Sequence, residues 1–305
     1  VNPEFGERFP IMDRLTAGEK IFNVFNIIIL VLLSFITIYP FWYIIVIALH
    51  DSSVMSYYQV YFWPKVFTLN NFRIVFVNSE LARGLFISAL RTVSGSLLSV
   101  ACGCAMAYAL SKRHLMGRKT ILTMITVTMF FSGGLIPSYL LYKSLDILNK
   151  FWIYILPGLL NVWYIFIMKT HFQGLPESIE ESARIDGAND IRIFLSLVMP
   201  MSLPLVATIL LFCGVTQWND WTTAQLFVSN QKLWPIQTLM VKMITQMEAS
   251  TLINQSLNND LISKQPALES IKMASIAVAT APILLSYPFL QKYFIKGIMV
   301  GSIKG

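Results

Sequence analysis

The sequence predicts an all-α integral membrane protein that crosses the bilayer six times. Three observations predict it. Of 305 residues, 55% are hydrophobic and only 13% charged, about half the ~25% charge of an ordinary soluble domain. The mean hydropathy is +0.62. Several uninterrupted apolar runs approach or exceed the ~18 residues that a membrane-spanning helix needs.

The spans read, in chain order, as residues 21–49, 84–110, 121–141, 151–168, 203–221 and 274–294. The first is too long for the core of a signal peptide and lacks a clear small-residue cleavage site, so it is read as retained. Pro40, Pro137, Pro157, Pro204, Pro282 and Pro288 fall inside spans. A bundle tolerates them because neighbouring helices re-satisfy the freed backbone groups, and they are expected to mark kinks.

Six spans put both termini on one side. The connection "SKRHLMGRK" (111–119) packs four Lys/Arg into nine residues, so it is expected on the cytoplasmic side. That assigns to the cytoplasm an N-terminal segment (1–20), the loop 174–204 and a tail (295–305) that continues the lysine-bearing, acid-free ending. The membrane domain covers 21–294. Segments 51–83 and 222–273 fall outside, and the longer one begins with an apolar, aromatic stretch suited to a re-entrant or interfacial piece. No internal repeat or low-complexity linker interrupts this plan.

Composition excludes several classes. The net charge of +7 suits basic cytoplasmic loops, and no basic, aromatic-interleaved cluster points to nucleic acid. Cys102, Cys104 and Cys213 lie within apolar spans as small packing residues, and His50, His114 and His171 stand apart at span ends, so no metal site is expected. All sixteen acids lie outside the span cores. An ion-coupled carrier generally binds its proton or sodium on a buried acid or histidine, so that class is disfavoured. A phosphate-binding G-x-x-x-x-G-K-[ST] loop is absent too. No paired carboxylates or Ser/His constellation suggests a membrane hydrolase.

Two polar features remain near the spans. Arg91 lies about two turns in from the outer end of the second span. It is either a pathway residue or one that snorkels or pairs locally. At the outer end of the fifth span, Gln217, Trp218, Asn219, Asp220 and Trp221 have the side chains to bind a sugar by stacking and hydrogen bonds. Trp at that depth is equally expected as a membrane-interface anchor.

The most polar run is "PESIEESARIDGANDIRIFLSLVMP" (176–200), with five acids and two arginines. Ser178 and Glu181 have capping-box spacing, which predicts a helix from Ile179. Gly187 is placed to end it in a left-handed turn, and Asn189 or Asp190 to cap a second helix. Ile191, Phe194, Leu195 and Val198 then recur at helical spacing as an apolar stripe toward the bundle. Anchoring helices are usually Lys/Arg-rich on their polar face. This acidic one, next to an anionic leaflet, favours docking of a protein partner.

The stretch "EESARIDGANDIRIFLSLVMP" resembles the loop of binding-protein-dependent ABC importer permeases whose pattern is E-A-A, three residues, G, nine residues, I-x-L-P. Glu181, Ser182 and Ala183 match E-A-A, Gly187 the glycine, Leu197 the isoleucine and Met199-Pro200 the L-P. Ser182, Leu197 and Met199 depart from the pattern while keeping size or apolarity. The ending "FLQKYFIKGIMVGSIKG" is similar to that of the second permease subunit in the sugar-uptake branch, of the maltose type. "FSGGLIPSYLL" (131–141) and "WNDWTTAQLFVSNQKLWPIQTL" (218–239) resemble its complex-polysaccharide, oligosaccharide sub-branch.

The resemblance implies a type I importer fold with a cytoplasmic coupling helix. It implies that Glu180, Glu181, Ser182, Ala183, Arg184, Asp186, Gly187 and Pro200 couple to an ATPase. Gln291, Lys292, Lys296, Gly297, Gly301 and Lys304 of the tail would reach into the ATPase dimer. The implied partners are a second permease, two ATPase subunits and an extracytoplasmic binding protein in a bacterial cell membrane. ATP and Mg would be bound by the ATPase, with no cofactor in this chain. An oligosaccharide is the implied cargo; a peptide or polyol importer is the alternative within transport.

Overall fold

The structure, a computed structural model, describes residues 16–55, 57–257 and 268–285. The chain divides into two compact units, residues 1–71 with 264–274, and residues 72–263 with 275–305.

In the first unit, α1 (Ala17–Ala48) opens with a capping box: Thr16 Oγ1 accepts from the Glu19 N–H, and the Glu19 carboxylate accepts from the Thr16 N–H. Its apolar side chains are exposed along most of its length, as a helix facing lipid requires. Pro40 sits within it without ending it. The helix ends on a small polar knot. Buried His50 meets Met55 O through Nε2 (2.8 Å) and accepts from the Val66 N–H at Nδ1 (3.3 Å). Asn71 donates to the carbonyls of Ala48 and His50, both at 2.9 Å. This is a structural histidine with both ring nitrogens occupied.

The second unit is built on α3 (Ser79–Ser111), which follows the short α2 (Asn70–Val77). Asn78 caps α3 by accepting from the N–H groups of Glu80 and Leu81. Around α3 pack α6 (Val162–Gln173), α10 (Leu203–Asn219) and α12 (Ile236–Leu257). Small residues let these helices approach closely: a Cβ on Gly95 would stand 2.9 Å from the Gln217 amide carbon. A continuous core joins Val100, Cys104 and Tyr108 of α3 to Ile165, Met168 and Phe172 of α6 and Ile209 and Cys213 of α10. The three cysteines are free.

Two expected spans are broken. The third is α4 (Arg118–Phe130) and α5 (Leu135–Ser144), set at 119°. The break falls at Gly133-Gly134, not at Pro137, because Gly134 takes φ +85° while Pro137 sits in the first turn of α5, where its missing N–H costs nothing. The fourth begins as a short 3₁₀ turn (Phe151–Tyr154), runs irregularly past Pro157 and Gly158, and becomes helical only at Val162. The fifth is regular, with Pro204 in its first turn.

Beyond it lie α11 (Thr222–Phe227), a 3₁₀ turn (Gln231–Leu233) and α12, so the long outer segment is largely helical. The last described helix, α13 (Leu268–Leu285), starts six residues earlier than expected and contains Pro282; Pro288 lies outside the described residues. Among the described residues three helices are long and apolar enough to cross a membrane, or up to five if each bent pair is one span, against six expected.

Candidate functional site

The loop after α6 is a helix–corner–helix. Its first helix is α7 (Glu177–Ile185); the second runs through α8 (Asp190–Ile193), a π-helical turn (Phe194–Val198) and α9 (Met199–Met201) before α10 turns off at 83°. The capping box expected at Ser178 and Glu181 does not form. Pro176 holds the N-cap position without a side-chain bond. Proline's fixed φ suits a helix start and its missing N–H leaves nothing unsatisfied there, while Glu177 and Glu180 in the first turn complement the helix dipole.

The corner is as expected. Gly187 has φ +80°, its N–H donates to Arg184 O at 3.0 Å, and the Ala188 N–H reaches Ala183 O at 2.9 Å. Asn189 caps α8 by accepting from the Arg192 N–H at 2.9 Å. A 2.8 Å ion pair from Arg184 to Asp190 ties the two helices across the corner.

The apolar stripe differs from expectation. Ile191 and Leu195 are exposed, and Ile193 and Val198 are the buried pair, with Phe194 and Leu197 beside them. Phe194 and Val198 lie on the core side as expected, while Ile193 and Leu197 take the places expected of Ile191 and Leu195; the π-helical turn brings Ile193 and Val198, five positions apart, onto one face. Phe194 packs on Tyr108 with ring centroids 5.0 Å apart. The loop is therefore seated on α3 and α6 through its second half.

The first half faces outward: Glu181, Ser182, Asp186 and Ile185 are exposed, Ile185 at 87%. Glu180 is the exception. It is paired with Lys112 at the end of α3, and that ammonium lies 4.2 Å from the Tyr108 ring centroid. Gln173 donates to Ser111 O at 3.3 Å beside it. A cleft of about 300 Å³ opens there, lined by Lys112, His114, Gln173, Glu177, Glu181 and Arg184 among others. Lys112 was hidden from sequence reading by its place in a basic turn, where a cation needs no partner. The tail residues Gln291, Lys292, Lys296, Gly297, Gly301 and Lys304 lie outside the described residues.

A second polar cluster sits between α3 and the end of α10. Arg91 is 1% exposed. Its Nε and Nη2 donate to Gln217 Oε1 (3.2 and 3.0 Å), Nη2 to Asp220 Oδ2 (2.7 Å) and Nη1 to the Asp220 carbonyl (2.8 Å). The guanidinium lies 4.4 Å from the centroid of the Tyr154 ring. Gln217 is oriented by donating to Tyr154 O at 3.2 Å. The other Asp220 oxygen accepts from Thr222 Oγ1 and the Thr223 N–H at the start of α11. Arg91 thus pairs locally.

Trp218 and Asn219 point elsewhere. Buried Trp218 donates Nε1–H to Ala279 O at 3.0 Å, and exposed Asn219 donates to Val215 O. Residues one and two positions along a helix from Gln217 cannot share its face. Below the Arg91 cluster is a cavity of about 190 Å³ whose wall includes Tyr154, Gly158, Asn161, Tyr164 and Thr216. Sequence reading missed these because they stand singly within an apolar run.

A kinked, almost acid-free helical bundle carrying an exposed acidic helix on a glycine corner defines a membrane transport component. The match to the family model described as "Binding-protein-dependent transport system inner membrane component" spans residues 99–300. The chain belongs to that family, and so is an integral protein of the cytoplasmic membrane and a transport permease rather than an enzyme.

It is 37% identical to the polygalacturonan/rhamnogalacturonan transport system permease protein YtcP of Bacillus subtilis over 94% of this chain and 99% of the other. It is 38% identical to protein LplC of the same organism, covering 95% and 97%. Among solved structures, a bacterial ABC transporter involved in the import of the acidic polysaccharide alginate matches with a TM-score of 0.81 at 26% identity, covering 92% of this chain and 99% of that one.

Proposed function

We propose that this chain is one of two permease subunits of an ATP-driven importer that takes up oligosaccharides delivered by an extracytoplasmic binding protein. Two ATPase subunits bind the ATP and Mg, and their closure drives the bundle between inward- and outward-facing states through α7. The observation that carries the coupling is the α7–Gly187–α8 unit. Its second half is anchored in the core by Ile193 and Val198, while Glu181, Ser182, Ile185 and Asp186 are left outward for a partner. A helix fastened to the bundle through Glu180 and through the α8 end, with its outer face left exposed, is suited to transmit a push. Arg184 ties α7 to α8 through Asp190, Ala183 and Pro200 belong to the same coupling unit, and the C-terminal tail from Gln291 to Lys304 adds a second contact with the ATPase. The sugar-transport relatives support an oligosaccharide cargo. Both termini and the α7 loop lie in the cytoplasm on this reading, which the basic 111–119 turn supports.

The test is to solubilise the tagged chain from its native host in mild detergent and identify what co-purifies. A second permease and an ATPase, with the ATPase lost in the Glu181→Ala, Gly187→Val variant, are expected. A lone chain or homodimer without ATPase removes the coupling role.

A further inference from the structure

We infer that the cavity beneath Arg91 is a subsite for one uncharged sugar unit, and that this chain therefore contacts neutral rather than uronic rings of its cargo. The inference rests on the proposed importer function and narrows it to a site and a substrate class.

The cavity has the size and the depth for the task. Its volume is about 190 Å³, below the ~300 Å³ at which pockets for drug-sized ligands begin, so it admits a single ring. Ser99 and Cys213 on its wall stand near the middle of α3 and α10. The opposite wall is the unwound stretch from Ile155 to Asn161, interrupting an otherwise apolar run. Irregular backbone at membrane depth is tolerated where it lines a cavity, and substrate sites form at such interruptions.

The lining suits hydroxyls and a ring face. Tyr164 lies stacked along Phe212, centroids 6.3 Å apart at 20°, and offers an aromatic edge and a hydroxyl. The Asn161 carbonyl oxygen is spent on the Tyr164 N–H, which leaves its amide NH₂ to donate. Thr216 Oγ1, which donates to Phe212 O, keeps lone pairs to accept, and Ser99 adds a second hydroxyl.

Charge decides the class. Only Arg91 and Asp220 among the lining residues are charged, and they neutralise each other. Four of the five guanidinium N–H groups are already committed to Gln217 and Asp220, and its face is taken by Tyr154. A uronate entering here would meet the Asp220 carboxylate and no free cation, and like charges at short range repel. An uncharged ring meets only dipoles.

Gly158 supplies a clean probe. It lines the cavity, and a Cβ added there meets no heavy atom within 4 Å, so Gly158→Leu adds bulk at the wall without straining the fold. The complete transporter, with its own permease partner, ATPase and binding protein in proteoliposomes, is given neutral galacto-oligosaccharides and oligogalacturonates of equal length. ATP-dependent uptake of either probe checks the importer reading separately.

The subsite predicts that wild type prefers the neutral oligomer at least tenfold in kcat/KM. It predicts that Gly158→Leu and Tyr164→Ala raise its KM tenfold or more while the ATPase still co-purifies, and that Tyr164→Phe recovers most of the affinity. Equal or better transport of the oligogalacturonate overturns the neutral assignment. An unchanged KM in both Gly158→Leu and Tyr164→Ala overturns the subsite itself.

Discussion

Two residues show how a single side chain, or its absence, shapes this protein. Gly187 holds φ +80° at a corner closed by two backbone hydrogen bonds and the Arg184–Asp190 ion pair. A β-branched residue in that region costs about 1–2 kcal/mol. Space is not the obstacle, since a Cβ there meets nothing within 4 Å. Gly187→Val is therefore expected to abolish uptake while the chain stays in the membrane fraction, and Gly187→Asn, which tolerates the left-handed region, to keep part of it. Normal uptake by the valine variant sinks the coupling role of this corner. Arg91 is the converse case, a buried cation whose value lies in its partners. Removing one member of a buried ion pair costs ~3–5 kcal/mol, and Asp220 keeps some solvent contact, so Arg91→Met is expected at the lower end. Thermal unfolding in detergent reads this out: Arg91→Met should lower the midpoint clearly, and the Arg91→Met, Asp220→Leu double variant should recover most of it because no charge is left unpaired. Gly187 was legible in the sequence because a glycine between two helical patterns has few other uses. Arg91 was only half legible. Its depth was visible, but its partners lie about 130 positions away, and no local pattern pairs residues at that distance.

At the scale of elements, the question is how α7 is fastened. Its N-terminal half is tied to α3 by Lys112–Glu180 and its C-terminal half to α8 by Arg184–Asp190. The first tie is mostly buried, with both side chains below 20% exposed, and the second is open to solvent, where ion pairs contribute little. Movement of α7 is thus expected to enter the bundle through the end of α3 as well as through α10. Lys112→Glu and Glu180→Lys should each reduce uptake several-fold while the ATPase still co-purifies, and the double reversal should restore it; failure of the double reversal to recover uptake denies the tie a coupling role. Helix boundaries were read well where a cap or a glycine is local, as at Asn189 and Gly187. They were misread where the choice is made by packing. Ser178 and Glu181 have capping-box spacing, but Pro176 starts the helix two residues sooner. Of the expected stripe Phe194 and Val198 pack inward, but Ile193 replaces Ile191 because a π turn, which has no sequence signature of its own, sets residues five apart on one face. The fourth span looked continuous by hydropathy, yet Pro157-Gly158 and the cavity beside them unwind it, since composition reports apolarity and not hydrogen bonding.

For the whole molecule the consequential claim is which way it faces. We propose, from the basic 111–119 turn, that this turn, α7 and both termini lie in the cytoplasm and the α2 region outside. The fold supplies sites at which this is measurable, because Met116, Ile185 and Val77 are at least three-quarters exposed and the native cysteines lie in apolar helices, where a charged maleimide reacts slowly. In a variant with the native cysteines replaced by alanine, a membrane-impermeant maleimide added to intact spheroplasts should label Val77→Cys and spare Met116→Cys and Ile185→Cys. Permeabilisation should expose both. The last position carries a second expectation that ties orientation to function. Ile185 stands outermost on α7, so in membranes holding the complete transporter Ile185→Cys should label more slowly than Met116→Cys even after permeabilisation, and faster once the ATPase is stripped by urea or salt. The reverse pattern on intact cells overturns the orientation. Equal labelling of Ile185→Cys with and without the ATPase leaves the orientation standing and removes α7 as the docking helix, because a face covered by a partner must be slower to react than the same face bare.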